Sequence, residues 1–283
     1  MILTLTDWHS QWGALGLPVK VVPMHPDLGL RWPWADIARH ACSYGHKRRV
    51  EAALKILDTA RARGGRWELA LSGGKDSTAA ALLLRQADWP ISAMSIRDDG
   101  DFPGETEYVT ALSRYCNLDL KILRAKRSIW EMLGTGHGVL TGDLHSRKSK
   151  VAVESFYSLC DANKPNYDGL IWGIRAGESK GRRAHRRAHG VFYDRADGKS
   201  VAQPIADWTT LDVFAYIHLQ NWPVQPLYLC VDPGQDWSRI RQDWFFAGGL
   251  AASIGGHYVW LRRWWPDLWE KIVDIDPEMR RLS

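Results

Sequence analysis

The sequence predicts an α/β fold, a doubly wound parallel sheet with helical additions at its N- and C-terminal ends. Three observations carry this. Short apolar runs at 69–71, 91–96, 120–123 and 169–174 alternate with helical periodicities, as in parallel strands joined by crossover helices. The first run feeds into a glycine turn, Ser72-Gly73-Gly74-Lys75-Asp76-Ser77, which opens an Ala/Leu-rich stretch. The segments richest in polar ligand-binding residues, 72–77, 97–106 and 173–183, each follow a predicted strand, where ligands sit in open α/β sheets.

Residues 1 to 34 carry Pro18, Pro23, Pro26 and Pro33 among Trp8, Trp12, Trp32 and Trp34, which predicts an irregular aromatic arm packed across another part of the chain. Helix is expected from Ala35 to Ala62, with a break near Gly45. Val50, Ala53, Leu54, Leu57 and Ala60 supply its apolar face, and Gly64-Gly65 its stop. Beyond the glycine turn, helix is expected over Thr78–Arg85, then a strand at Ile91–Ile96, an acidic turn, a helix to Cys116 and a third strand at Leu120–Leu123. Residues 128–150 read as mixed short helix and glycine-rich loop, Val151–Ala162 as helix, and Gly169–Ile174 as a buried strand. Val191–Tyr193 and Ser200–Ala202, separated by Asp197-Gly198, form a hairpin signal. Helices at Thr209–Leu219, Asp236–Ala247 and His257–Val273 complete the chain. Three regions follow: an N-terminal arm with helices (1–65), a nucleotide-binding core (66–220) and a helical C-terminal region (221–283).

The turn at 72–77 has the chemistry of an anion cradle. Two glycines let the backbone approach a ligand without an intervening Cβ. Ser72, Ser77 and Lys75 surround the turn with donors, and the following helix offers unpaired N–H groups and its positive dipole end. The best-matched anion is a phosphate chain. A Walker A loop is excluded: it needs glycine where Leu69 stands, and Ser or Thr where Asp76 stands.

Composition narrows the class. An apolar share of 45% over 283 residues supports a packed core, and no apolar run reaches the roughly eighteen residues a membrane span needs. The N-terminus lacks a basic stretch and a small-residue cleavage site, so a cytoplasmic location without membrane contact is the expectation. Cys42, Cys116, Cys160 and Cys230 are far apart with no Cys-x-x-Cys pairing, so neither an iron–sulfur cluster nor a zinc site is expected, and no residue is assigned as a metal ligand. Net charge is +5, and Lys180–His189 concentrates it in one run that follows a predicted strand end. Such runs are usually solvated faces; at this position the run is read as a lid over an anionic substrate.

Several segments together resemble the phosphoadenosine phosphosulfate (PAPS) reductase family of PP-loop, ATP pyrophosphatase-type proteins. Ser72–Ser77 is similar to its PP-loop, and Asp98-Asp99-Gly100-Asp101-Phe102-Pro103-Gly104-Glu105-Thr106 to its Asp-Thr-Gly…Phe-Pro-Glu-Thr segment. Arg147-Lys148 resembles its Arg-Lys stretch, and Gly173-Ile174-Arg175-Ala176-Gly177-Glu178-Ser179 with Arg182 and Arg183 its Gly-Ile-Arg-x-x-Glu-Ser…Arg segment. Pro204–Phe214 is similar to its Pro-Ile…Asp-Trp…Asp-Val stretch. The resemblance spans about 66–220 and implies an adenine nucleotide alpha-hydrolase-like, Rossmann-type fold. It departs in lacking the C-terminal Glu-Cys-Gly cysteine and the cluster cysteines, which brings the chain closer to the cysteine-poor, DNA phosphorothioation-like members than to true PAPS reductases.

What the resemblance implies is an enzyme that binds ATP, with Mg²⁺, and cleaves it between the α and β phosphates to adenylate a substrate in a sulfur-transfer or nucleic-acid modification pathway, with an external sulfur donor. Lys75, Asp76 and Arg175 are the expected catalytic residues. Ser72, Gly73, Gly74, Lys75, Asp76, Ser77, Asp98, Gly173, Arg175, Glu178, Arg182 and Arg183 are the expected nucleotide- and phosphate-binding set. Asp76 has two readings, orienting the loop or its metal, and capping the helix. Asp98 binds magnesium or a ribose hydroxyl, or only shapes a solvated turn. Glu178 orients an arginine or assists a proton transfer. The alternatives are a PAPS- or APS-binding reductase or sulfotransferase relying on Cys230, and a nucleotide-binding module without turnover.

Overall fold

The computed structural model describes residues 12–14, 25–124, 130, 158–240 and 257–282. Helices α1 (Trp34–Ala41) and α2 (Tyr44–Arg63) precede strand β1 (Trp67–Ala70), helix α3 (Lys75–Gln86), β2 (Ser92–Arg97), α4 (Glu105–Tyr115) and β3 (Asp119–Arg124). Then come β4 (Gly169–Trp172), α5 (Lys180–His189), β5 (Phe192–Asp194), β6 (Ser200–Ala202), α6 (Thr210–Leu219), α7 (His257–Trp264) and α8 (Pro266–Ile275).

These strands form one sheet in the order β3-β2-β1-β4-β6-β5, parallel except for β5. Glu68 lies opposite Ser92 of β2 and Leu170 of β4, so β1 is central. The chain runs outward from β1 to β3 and then returns to β4 on the other side of β1, which makes the β1/β4 boundary the topological switch point. Trp67, Glu68 and Leu69 are all buried, as expected of a parallel strand covered on both faces. The hairpin predicted at 191–202 forms, with Asp194 opposite Ser200, and β6 also joins β4 in parallel.

Helix α3 fixes the loop before it. Every side chain from Thr78 to Leu84 is fully buried, and α3 packs against α2, α4, α6, β1 and β4. Burying each of Leu82, Leu83 and Leu84 contributes about 2 kcal/mol, so the start of this helix is held by the core. Three predicted boundaries move. The helix after the loop begins at Lys75, because Gly74 is extended and caps it. The N-terminal helix breaks at Cys42-Ser43, where the Ser43 hydroxyl accepts the His46 amide at 3.2 Å, and Gly45 lies inside the first turn of α2. The C-terminal helix is interrupted before Pro266, whose ring cannot continue α7 but suits the first turn of α8.

Of the helix expected at 236–247, the described part is a 3₁₀ turn at Trp237–Arg239. Of that at 151–162, residues 158–163 are helical. Apart from Trp130, the reading of 128–150, with the Arg147-Lys148 pair, lies outside the described residues. The aromatic arm packs as predicted where it is described: Trp12 donates to the Val224 carbonyl at 2.9 Å, and Trp32 meets the rings of Phe214 and Trp237 edge-on.

Candidate functional site

The glycine turn leaves the end of β1 with Gly73 at φ 84°, a left-handed conformation that favours glycine. Its amides and hydroxyls form a closed set. The Gly73 amide donates to Ser77 Oγ at 3.1 Å and the Gly74 amide to Ser72 Oγ at 3.3 Å. The two serine oxygens lie 3.0 Å apart, and Ser77 Oγ donates to the Gly74 carbonyl. The Lys75 amide, first of the helix, donates to the Tyr228 hydroxyl at 2.8 Å. Tyr228 comes from a 3₁₀ turn at Pro226–Leu229 and also lies under the Lys75 ammonium, 5.7 Å from its ring centre.

Across the switch point, the segment after β4 meets this loop. Gly173 is placed so that a Cβ there would lie 2.8 Å from the Asp76 carbonyl oxygen and 2.9 Å from Ser77 Cα. Only glycine lets the end of β4 approach the first turn of α3 so closely. Gly173 therefore has a packing role at the edge of the loop to which its motif assigned it. Arg175, 5% exposed, reaches back into the loop and donates through Nε to Asp76 Oδ1 at 2.6 Å. The other Asp76 oxygen lies 3.1 Å from the Lys75 ammonium, itself 4% exposed. Asp76 thus bridges two buried cations.

The alternation continues outward. Glu178 pairs with Arg175 at 3.5 Å and with Arg182, so it orients arginines. Thr210, in the first turn of α6, accepts from Arg175 Nη1 at 3.1 Å. That turn is itself fixed by Asp212, which caps reciprocally with Thr209 and receives His40, His46 and Arg49 on its other oxygen. Burial pushes the Asp212 carboxyl up, but the bonds from His46, His40 and Thr209 outweigh it and leave the group below the ordinary carboxylate range. His40, His46 and Asp212 have the makings of a cation site, yet Arg49 already supplies a cation at the shared oxygen, 3.2 Å away.

The expected lid residues are α5, a regular helix capped by Ser179 with no buried residue. Arg186 clamps Asp207 with two bonds, His185 meets the Tyr193 ring edge-on, and His189 lies tilted against it. Arg182 reaches Glu178 at the edge of the site, whereas Arg183 is exposed and donates to the Gly177 carbonyl at 3.3 Å. Asp98 closes its own turn by accepting the Gly100 amide at 2.8 Å. Two residues to which sequence reasoning gave no role are central here: Tyr228 and Arg97. Arg97 ends β2, is 2% exposed, and bonds to the Ser72 carbonyl, Glu105, Asp101 and Ser95. A charged residue closing an otherwise uncharged strand was the one available signal for Arg97; Tyr228 left none.

A curated relative, sulfate adenylyltransferase subunit 2 of Geobacter metallireducens, is 24% identical over 182 residues, 55% of this chain and 58% of the relative. The chain thus matches less than two thirds of that relative's length. Among solved structures, phosphoadenylyl-sulfate reductase of Candida auris aligns over 66% of this chain and 88% of its own, with 19% identity and a TM-score of 0.48. NMN synthetase of Francisella tularensis aligns over 85% and 96%, with 14% identity and a TM-score of 0.43. The family model for the phosphoadenosine phosphosulfate reductase domain matches residues 67–231, more than half of the sequence, from β1 past Tyr228, and the chain belongs to that family.

Proposed function

We propose that the chain binds ATP with its terminal diphosphate in the Ser72–Ser77 loop and transfers the adenylyl group to an anionic acceptor. The observation that supports this most is the meeting of Lys75 and Arg175, both buried, on one carboxylate at the β1/β4 switch point. Two desolvated cations and a helix N-terminus at one place suit a leaving group that gains negative charge.

In this reading an oxygen or sulfur nucleophile of the acceptor attacks the α phosphorus. The bond to the α–β bridging oxygen breaks, and its electron pair leaves with pyrophosphate. Lys75 and Arg175 exchange Asp76 for phosphate oxygens, and the loop hydroxyls and amides follow. Asp76 and Asp98 do not fit a resident magnesium in their present pairing, since Asp76 has both oxygens in ion pairs and an Asp98 oxygen accepts the Gly100 amide. The acceptor approaches past Arg182 and α5, whose cations suit sulfate or a nucleic-acid phosphate. Sulfur, where it enters, comes from an external donor in a sulfur-transfer or nucleic-acid modification pathway.

Thiol-based reduction through Cys230 is disfavoured. The Cys230 side chain is fully buried, donates to the Pro226 carbonyl, and burial raises its pKa well above the ordinary thiol value. Burial also pushes the Cys116 thiol up to about 12. Neither supplies a thiolate near neutral pH.

Pyrophosphate release from ATP, assayed with sulfate and with nucleic acid as acceptors, tests the proposal. Lys75→Ala is expected to lower it by about 100-fold or more. Sulfite formed from PAPS supports the reductase alternative instead, and tight nucleotide binding without products a non-catalytic module. If neither nucleotide binds, the reading fails.

A further inference from the structure

We infer that Arg97 is a positioning residue that sets the direction of a cradle donor, the Gly73 amide. The Ser72 carbonyl and the Gly73 N–H belong to one planar trans peptide, so they point in opposite directions. Arg97 Nη2 donates to that carbonyl, which fixes the N–H on the opposite side, where it meets Ser77 Oγ. Gly73, at φ 84°, offers little steric resistance to rotation of this peptide. Turned over, it would present a carbonyl oxygen to the anion where the loop now presents a donor. The guanidinium resists that turn because it is itself held on three sides. Nη1 bonds Glu105 at 2.8 Å and Asp101 at 3.3 Å, and Nε bonds Ser95 Oγ at 2.9 Å. Asp101 also accepts the Asp98 amide at 3.3 Å, so one side chain joins the loop after β1 to the loop after β2. Glu105 and Arg97 are both almost wholly buried, and Arg97 finds its counter-charge in Glu105 and Asp101.

The geometric claim stands without a ligand, while its consequence for affinity rests on the anion-binding role proposed for the loop. The test uses the full chain labelled with ¹⁵N-glycine, in wild type, Arg97→Lys and Glu105→Gln, with hydrogen exchange of unlabelled core segments followed by mass. Lysine keeps the buried charge but cannot span the carbonyl and both carboxylates. The Glu105→Gln change keeps the side-chain volume and weakens the hold on Arg97, which covers the case in which Arg97→Lys does not fold. Two readouts are taken: hydrogen exchange of the Gly73 amide without ligand, and affinity for inorganic pyrophosphate. In Arg97→Lys the Gly73 amide is expected to exchange about 10-fold faster, with core amides such as Leu83 and Ile171 unchanged, and pyrophosphate to bind about 10-fold more weakly, the effect of one lost hydrogen bond of about 1.4 kcal/mol. Glu105→Gln is expected to act in the same direction by a smaller factor. Gly73 exchange at the wild-type rate in both variants overturns the inference. Faster Gly73 exchange in a protein whose wild type does not bind pyrophosphate upholds the inference and overturns the proposed function.

Discussion

Replacing Gly173 by alanine adds one methyl group at the point where β4 meets α3. The new Cβ would lie 2.8 Å from the Asp76 carbonyl oxygen, 2.9 Å from its carbon and 2.9 Å from Ser77 Cα. All three are backbone atoms of a helix turn, so no rotamer change relieves the contact. Ordinary contact needs about 3.4 Å or more, so the two segments must part by roughly 0.5 Å, which as overpacking costs about 1–3 kcal/mol. The transition midpoint falls by roughly 2–4 °C for each kcal/mol in a domain of this size class. The functional effect is larger than that loss suggests, because the displaced atoms carry Asp76 and, through it, the alignment of Lys75 with Arg175. A misplacement on the order of 1 Å costs about 100-fold in rate, so about 10-fold slower pyrophosphate release from ATP is expected for half that shift. Thermal denaturation and the release assay on the same preparation read both quantities. A variant with wild-type stability and wild-type turnover would refute the assignment of Gly173 to close packing and the dependence of the loop on it.

Asp212→Asn is expected to cost about 3 kcal/mol, since it leaves Arg49 and two buried or half-buried imidazoles around a neutral amide. The wild-type carboxyl titrates below its unfolded value of 3.8, so its stabilisation is complete above that pH and is lost as pH falls through the lower folded value. The gap between the two proteins' denaturant midpoints should therefore narrow as pH falls from 7 to 2; parallel curves would contradict the assignment. Cys230→Ala should leave pyrophosphate release within about twofold of wild type and cost about 1 kcal/mol of stability. Loss of turnover in a folded Cys230→Ala protein would restore the thiol-dependent alternative.

The loop was legible because its residue types are contiguous: glycines, hydroxyls and a lysine between an apolar run and a helix leave few alternatives. The sheet was legible for a related reason, as β1, β2, β3 and β4 are short strands whose apolar residues lie between turn-forming segments. What escaped prediction depends on contacts distant in sequence. Tyr228 reaches the Lys75 amide across 153 positions, and Asp212 gathers His40, His46 and Arg49 across more than 160; no periodicity encodes either. Asp76 was read as orienting the loop or its metal, or as a cap, because position in a first turn favours each; the bridge to Lys75 and Arg175 needs the approach of Arg175 from beyond β4, which no local pattern encodes. The motif placed Gly173 at the site, but its close packing against the first turn of α3 depends on a neighbour across the switch point that no motif encodes.

The bridging of Lys75 and Arg175 by Asp76 sets a condition on valence. A carboxylate brings a single negative charge and two oxygens, and both are already engaged by the two cations. Chloride or acetate would displace it with no gain in charge, and chloride could not span both partners. Pyrophosphate brings several charges on oxygens spread across two phosphorus centres, enough to satisfy both cations and leave the displaced carboxylate to turn elsewhere. Under the proposed function, the resting ion pair would therefore act as an internal competitor that sorts anions by their charge and reach before any base or sugar is read.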